Sequence, residues 1–71
     1  MRYMGDKCRI REWLKTRGMS QRDLAMVTNL SETYVSDIVR GRIFVSLHNG
    51  MTIAKALNVT IEELYTWKVR E

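Results

Sequence analysis

Seventy-one residues carry twelve Lys and Arg against eight Asp and Glu, a net charge of +4 with a pI near 9.6. Hydrophobic residues make up 45% and charged residues 28%, a globular balance at a size where one hydrophobic core is near its lower limit. These figures argue against a disordered chain, against a membrane span of ~18 apolar residues and against a large enzyme cleft.

Cys8 is the only cysteine, too few for an internal disulfide or a zinc site, and no apolar segment follows Arg2 as a secretion signal requires. Both observations predict a cytoplasmic protein. The charge is uneven. Between Met1 and Arg22, the basic Arg2, Lys7, Arg9, Arg11, Lys15, Arg17 and Arg22 outnumber Asp6 and Glu12, and Arg40 and Arg42 join that positive end. Such an excess permits a nucleic-acid partner and equally describes a solvated surface.

Proline is absent, four glycines punctuate the chain, and no stretch alternates for long. The pattern predicts an all-α domain without strands over residues 1–71, its core at about 7–65. Helix one is expected from Asp6 or Lys7 to Arg17, with Asp6 as N-cap, Cys8 half-buried, Ile10, Trp13 and Leu14 inward, and Gly18 as a left-handed stop. Helix two starts at the cap Ser20, with Asp23 three residues on, buries Leu24, Ala25 and Val27, and ends near Thr28 with Asn29 left-handed. Helix three runs from Ser31 to Gly41 and buries Val35 and Ile38. Helix four follows Ser46 and carries Met51, Ile53, Ala54 and Leu57 to Asn58. Within it Gly50 costs about 1 kcal/mol against alanine, so either a large side chain such as Trp13 packs there or the helix is locally weak. Helix five opens on a Thr60–Glu63 capping box, buries Ile61 and Leu64, and fades after Trp67. Tyr65, Trp67 and Val69 stand at alternate positions; they pack back on helix one or form a dimer surface. Met1–Gly5 and Lys68–Glu71 are expected to be loosely ordered.

Residues 20–41 thus read as two short helices joined through Thr28, Asn29 and Leu30, locked by Leu24, Ala25, Leu30, Val35 and Ile38. This is a helix-turn-helix whose second helix keeps an outer face free for a DNA major groove. The stretches RIREWLKTRGMSQRDLA (Arg9–Ala25), LSETYVSDIVRG (Leu30–Gly41) and TIAKALNVTIEEL (Thr52–Leu64) occur in that order. In them the chain resembles the lambda-repressor-like, or XRE/Cro-type, helix-turn-helix regulators. It departs from the family pattern at Asn29, where glycine is frequent, at Gly50, where a large apolar residue is usual, and at Phe44 and Val45, where polar residues and proline are usual.

The resemblance implies a compact five-helix DNA-binding domain with its helix-turn-helix at about 20–41. It implies a sequence-specific transcriptional regulator, a bacterial or phage repressor binding a pseudo-palindromic double-stranded operator as a homodimer and associated with the nucleoid when bound. Carried over by position, Gln21 meets a phosphate at a helix N-terminus, with Arg22, Tyr34, Arg40 and Arg42 as further backbone contacts. Base reading falls to Ser31, Glu32, Thr33, Ser36 and Asp37: carboxylates can accept from cytosine N4, and Thr33 offers a methyl to thymine. Asp37 is positioned three residues from Arg40 to pair with it in the free protein. The competing reading is an antitoxin or adaptor on the same fold, gripping a protein through Phe44, Tyr65 and Trp67. His48 reads as a surface residue and the scattered methionines as core filling. No Ser-His-Asp set, Gly-rich phosphate loop or metal constellation is present, so neither enzyme activity nor a cofactor or metal is expected.

Overall fold

A computed structural model describes the chain from Met1 to Glu71. Its elements are β1 (Arg2–Cys8), α1 (Ile10–Arg17), α2 (Gln21–Thr28), α3 (Glu32–Val39), α4 (Leu47–Leu57), a 3₁₀ turn (Ile61–Leu64) and β2 (Tyr65–Arg70). The four helices form where apolar spacing and caps place them. In α1, Ile10 and Leu14 bury the same face, Glu12 lies in the first turn, and Lys15 and Arg17 lie in the last, the charge order that complements the helix dipole. Ser20, Ser31 and Ser46 cap α2, α3 and α4 by accepting backbone N–H groups three residues on.

The core joins Ile10 and Leu14 to Leu24, Ala25, Val35, Ile38, Val39, Ile53, Ala54, Leu57, Leu64 and Tyr65, with no buried polar or charged side chain among them. Helix α4 lies against α1, α2 and the 3₁₀ turn. Val27, expected inside, is 66% exposed. At about 100° per residue, Thr28 falls between Leu24 and Ala25, and Val27 falls outside that sector. Met51 is also exposed, while Val39 is buried.

Gly50 is buried, and a Cβ there would lie 3.2 Å from Ile61 Cδ1 and 3.3 Å from Val45 Cγ1. The side chains that fill the space above the glycine are therefore Ile61 and Val45, not Trp13. Trp13 is half-buried; its indole N–H donates to the Glu63 carbonyl at 2.7 Å, fastening α1 to the 3₁₀ turn.

Both ends of the chain correct the all-helical expectation. Residues 2–8 and 65–70 pair as an antiparallel ribbon, with Arg2 opposite Arg70, Tyr3 opposite Val69, Met4 opposite Lys68 and Gly5 opposite Trp67. An irregularity then brings Cys8 opposite Tyr65. Helix α1 accordingly starts at Ile10, and Asp6 is no N-cap; its carboxylate lies 3.7 Å from Lys68 Nζ across the ribbon. Cys8 belongs to β1, where burial pushes its thiol up. The Thr60–Glu63 capping box forms, but it opens a single 3₁₀ turn instead of a fifth helix. The run Tyr65-Thr66-Trp67-Lys68-Val69 is aromatic and β-branched at most positions, and its large residues recur with the period of a strand. Tyr65 packs its ring on Phe44, with centroids 5.3 Å apart, and meets Trp67 edge-on at 6.2 Å, so these residues face the loop before α4.

Candidate nucleic-acid interface

The turn between α2 and α3 is fixed from both sides. Upstream, the Ser20 hydroxyl accepts the Asp23 N–H at 3.0 Å while the Asp23 carboxylate accepts the Ser20 N–H at 3.0 Å. The Ser20 N–H first, and its side chain second, hold the Asp23 carboxyl below its ordinary value. Downstream, Asn29 takes φ 60 and the Leu30 N–H returns to the Ala25 carbonyl. Asparagine tolerates this left-handed position, so the turn closes without glycine. Ser31 then caps α3 by accepting the Tyr34 N–H at 3.0 Å. With Val35 and Ile38 locked into the core beside Leu24 and Ala25, the opposite side of α3 is left outward.

That outward side carries a shallow depression of about 370 Å³ lined by Gln21, Glu32, Thr33, Ser36, Asp37, Arg40 and Arg42, without a hydrophobic residue. Most of the residues singled out in the sequence are thereby brought to one place, two helices contributing to one polar surface. Three stand apart. Ser31 uses its oxygen as a cap, Arg22 is exposed on α2, and Tyr34 is half-buried with its hydroxyl accepting from Asn49 Nδ2 at 2.9 Å. Burial would raise the Tyr34 phenol, but hydrogen bonds with Asn49 and Ser46 outweigh it and the net direction is down.

Asp37 pairs with Arg42, not with Arg40: Arg42 Nη1 lies 3.5 Å from Asp37 Oδ1. The chain turns back at Gly41 (φ 79), where the Arg42 N–H reaches the Asp37 carbonyl at 2.9 Å, and this reversal sets the Arg42 side chain over the last turn of α3. Arg40 remains exposed at the end of α3.

Part of the basic N-terminal third is structural. The Arg9 and Arg17 guanidinium carbons sit 4.9 and 5.7 Å from the centre of the Trp13 ring, and Arg17 Nε donates to the Leu57 carbonyl at 2.8 Å. Arg17 therefore satisfies the C-terminus of α4. Its place four residues after Trp13 and next to Gly18 was the available signal. Asn49, which positions Tyr34, carries no such signal in the sequence.

The surface offered for a protein partner is also altered. Tyr65 is 6% exposed, and its hydroxyl accepts the Val45 N–H at 3.0 Å. Burial pushes its phenol up. Phe44 and Trp67 stay exposed and border, with Leu47 and Ile61, an apolar groove of about 540 Å³. No three His, Cys, Asp or Glu side chains converge as a metal site requires, and no helix is long and apolar enough to cross a membrane.

Residues 10–64 match the family model described as helix-turn-helix. The chain is 47% identical over 51 residues to the control protein C.BamHI of Bacillus amyloliquefaciens, covering 72% of this chain and 63% of that one. Among solved structures it is similar to the restriction-modification controller protein C.AhdI of Aeromonas hydrophila (TM-score 0.74, 38% identity, 80% of this chain and 86% of the other). It is also similar to the biofilm master regulator SinR of Bacillus subtilis in complex with DNA (TM-score 0.74, 26% identity, 79% and 90%).

Proposed function

The chain belongs to the XRE-type helix-turn-helix family of DNA-binding transcriptional regulators, and we propose that it binds a pseudo-palindromic operator as a dimer and represses by occluding polymerase. The observation that carries this reading is the polar depression on α3, where Gln21 from α2 meets Glu32, Thr33, Ser36 and Asp37 and the flanking Arg40 and Arg42. An α-helix fits the major groove, and a two-fold dimer sets two such helices about 34 Å apart. In this reading Glu32 and Asp37 accept from cytosine N4, Thr33 touches a thymine methyl, and Ser31 and Ser36 offer hydroxyl protons. Gln21, Arg22, Tyr34, Arg40 and Arg42 meet phosphates. The protein works in the cytoplasm on the nucleoid, without enzyme chemistry of its own.

Selection of bound sites from random duplexes tests it. An inverted repeat with half-sites about 10 base pairs apart is the expected product, and failure to enrich any sequence refutes the reading. Gln21→Ala should then weaken binding equally on the selected site and on random DNA, because phosphate contacts position without reading sequence. A change in base preference would remove Gln21 from the backbone set.

A further inference from the structure

The two ends of the chain meet in a ribbon that has no third strand. Each strand therefore offers a row of backbone N–H and C=O groups along its outer edge, and a two-stranded ribbon is marginal by itself. Cross-strand partners share a face, so Tyr3 with Val69 and Gly5 with Trp67 make one side of it. Tyr3, Trp67 and Val69 remain exposed there, as does the neighbouring Phe44. A Cβ on Gly5 would lie 3.2 Å from the Phe44 ring. The other side carries Arg2, Met4, Lys68 and Arg70, with Asp6 reaching Lys68.

We infer that β1 joins two copies of the chain, its outer edge pairing antiparallel with β1 of a second copy about a two-fold axis at Met4, so that the two ribbons become one four-stranded sheet. The inference deepens the dimeric reading given above and rests on it for its role. Charge and register select the occupant. A two-fold antiparallel pair must be centred on a residue, because centring between residues sets outward backbone groups against inward ones. With Met4 at the centre, Tyr3 faces Gly5 of the second copy, and Arg2 reaches Asp6 of the second copy at the start of the irregularity between Gly5 and Cys8, twice by symmetry. Arg2 has only another cation, Arg70, opposite it in its own ribbon, an unfavourable neighbour. The second copy supplies the missing anion. The Tyr3 ring, meanwhile, covers the glycine position beside Phe44.

Other registers lose these matches. Centred on Tyr3, Arg2 faces methionine; centred on Gly5, Asp6 faces methionine and Lys7 faces tyrosine. Strand β2 lacks the complementarity, since centring it on Lys68 sets that lysine against itself and Arg70 against Thr66. A self-complementary strand is what a two-fold interface requires.

Sedimentation equilibrium of the full chain and two charge reversals tests the inference. Arg2→Asp and Asp6→Arg each replace two attractions with two repulsions, and each should weaken self-association about tenfold or more. An equimolar mixture of the two variants restores opposite charges at both pairs and should recover the dimer. Because Asp6 also meets Lys68, thermal melts confirm that each variant folds. Independently of folding, amide exchange in β1 of the unmodified chain should slow as concentration rises through the association range. Single variants that associate as tightly as the parent, a folded mixture that stays monomeric, or β1 exchange independent of concentration each overturn the strand interface. Those results leave an operator-bound dimer through another face intact. A parent chain that is monomeric both free and on its operator overturns the dimeric reading as well, whereas β1-mediated dimers that select no DNA sequence support the interface and refute the operator reading alone.

Discussion

Asp37→Ala separates the two roles that an acidic residue can have on a recognition helix. In the free protein Asp37 holds Arg42 at 3.5 Å, with both side chains partly exposed. At that distance two unit charges in water attract by about 1.2 kcal/mol. Side-chain ordering and salt offset most of this, so loss of the pair should cost less than about 0.5 kcal/mol of stability. On DNA the consequences are larger and of opposite sign on different sequences. On scrambled duplexes, where Asp37 has no cytosine to accept from and keeps its pair with Arg42, removing the carboxylate takes a negative charge from the groove and frees Arg42 for a phosphate. Binding to scrambled duplexes should therefore tighten, and the slope of log K against log salt should steepen by about 0.9 per chain. On the selected operator the lost acceptor should relax preference at one base pair per half-site by ~1–3 kcal/mol. Fluorescence anisotropy with specific and scrambled duplexes over a salt series reads both effects. An unchanged slope with unchanged affinity for scrambled DNA would refute the release of Arg42. Weaker operator binding without relaxation at any position would refute base reading by Asp37.

Tyr65→Phe leaves the part-buried Val45 N–H without its acceptor and should cost about 1–2 kcal/mol, lowering the melting temperature by roughly 5–15 °C; an unchanged melt shows that this bond does not hold the loop before α4. Asp23 and Glu63 are both held below the ordinary carboxylate range, by the backbone N–H and hydroxyl of Ser20 and of Thr60 respectively. Depressed values mean that their stabilisation is complete above the unfolded range near pH ~4 and is lost as pH falls through the folded values. The double variant Asp23→Asn, Glu63→Gln should accordingly melt lower than the parent at neutral pH, with the gap closing in acid; a gap that persists unchanged at low pH refutes the assignment.

The helix-turn-helix was legible because its determinants are local: the Ser20–Asp23 box, Asn29 in the left-handed turn and Val35–Ile38 all act within a few residues. The polar face of α3 followed from the same periodicity. What escaped was non-local. Tyr65, Trp67 and Val69 showed strand alternation, but the partner strand lies at the other end of the chain and contains Gly5, so no single window displays the pair. At Gly50 the sequence leaves two alternatives open, a large side chain such as Trp13 or a locally weak helix, and Ile61 and Val45 fill the space, because spacing along one helix does not say which neighbour fills a gap on another. Helical spacing offers Arg40 as one partner for Asp37, but the reversal at Gly41 brings Arg42 there instead.

The ribbon also imposes an order on folding. The Lys7 N–H that meets the Thr66 hydroxyl is 59 positions away from it, whereas the contacts within and between α2 and α3 span short stretches of chain. Long-separation pairing gains nothing until its ends have been brought together. The helices between them do that gathering, and only afterwards can the ribbon zip. β1, which precedes every helix in the chain, is therefore the element that must wait for all of them.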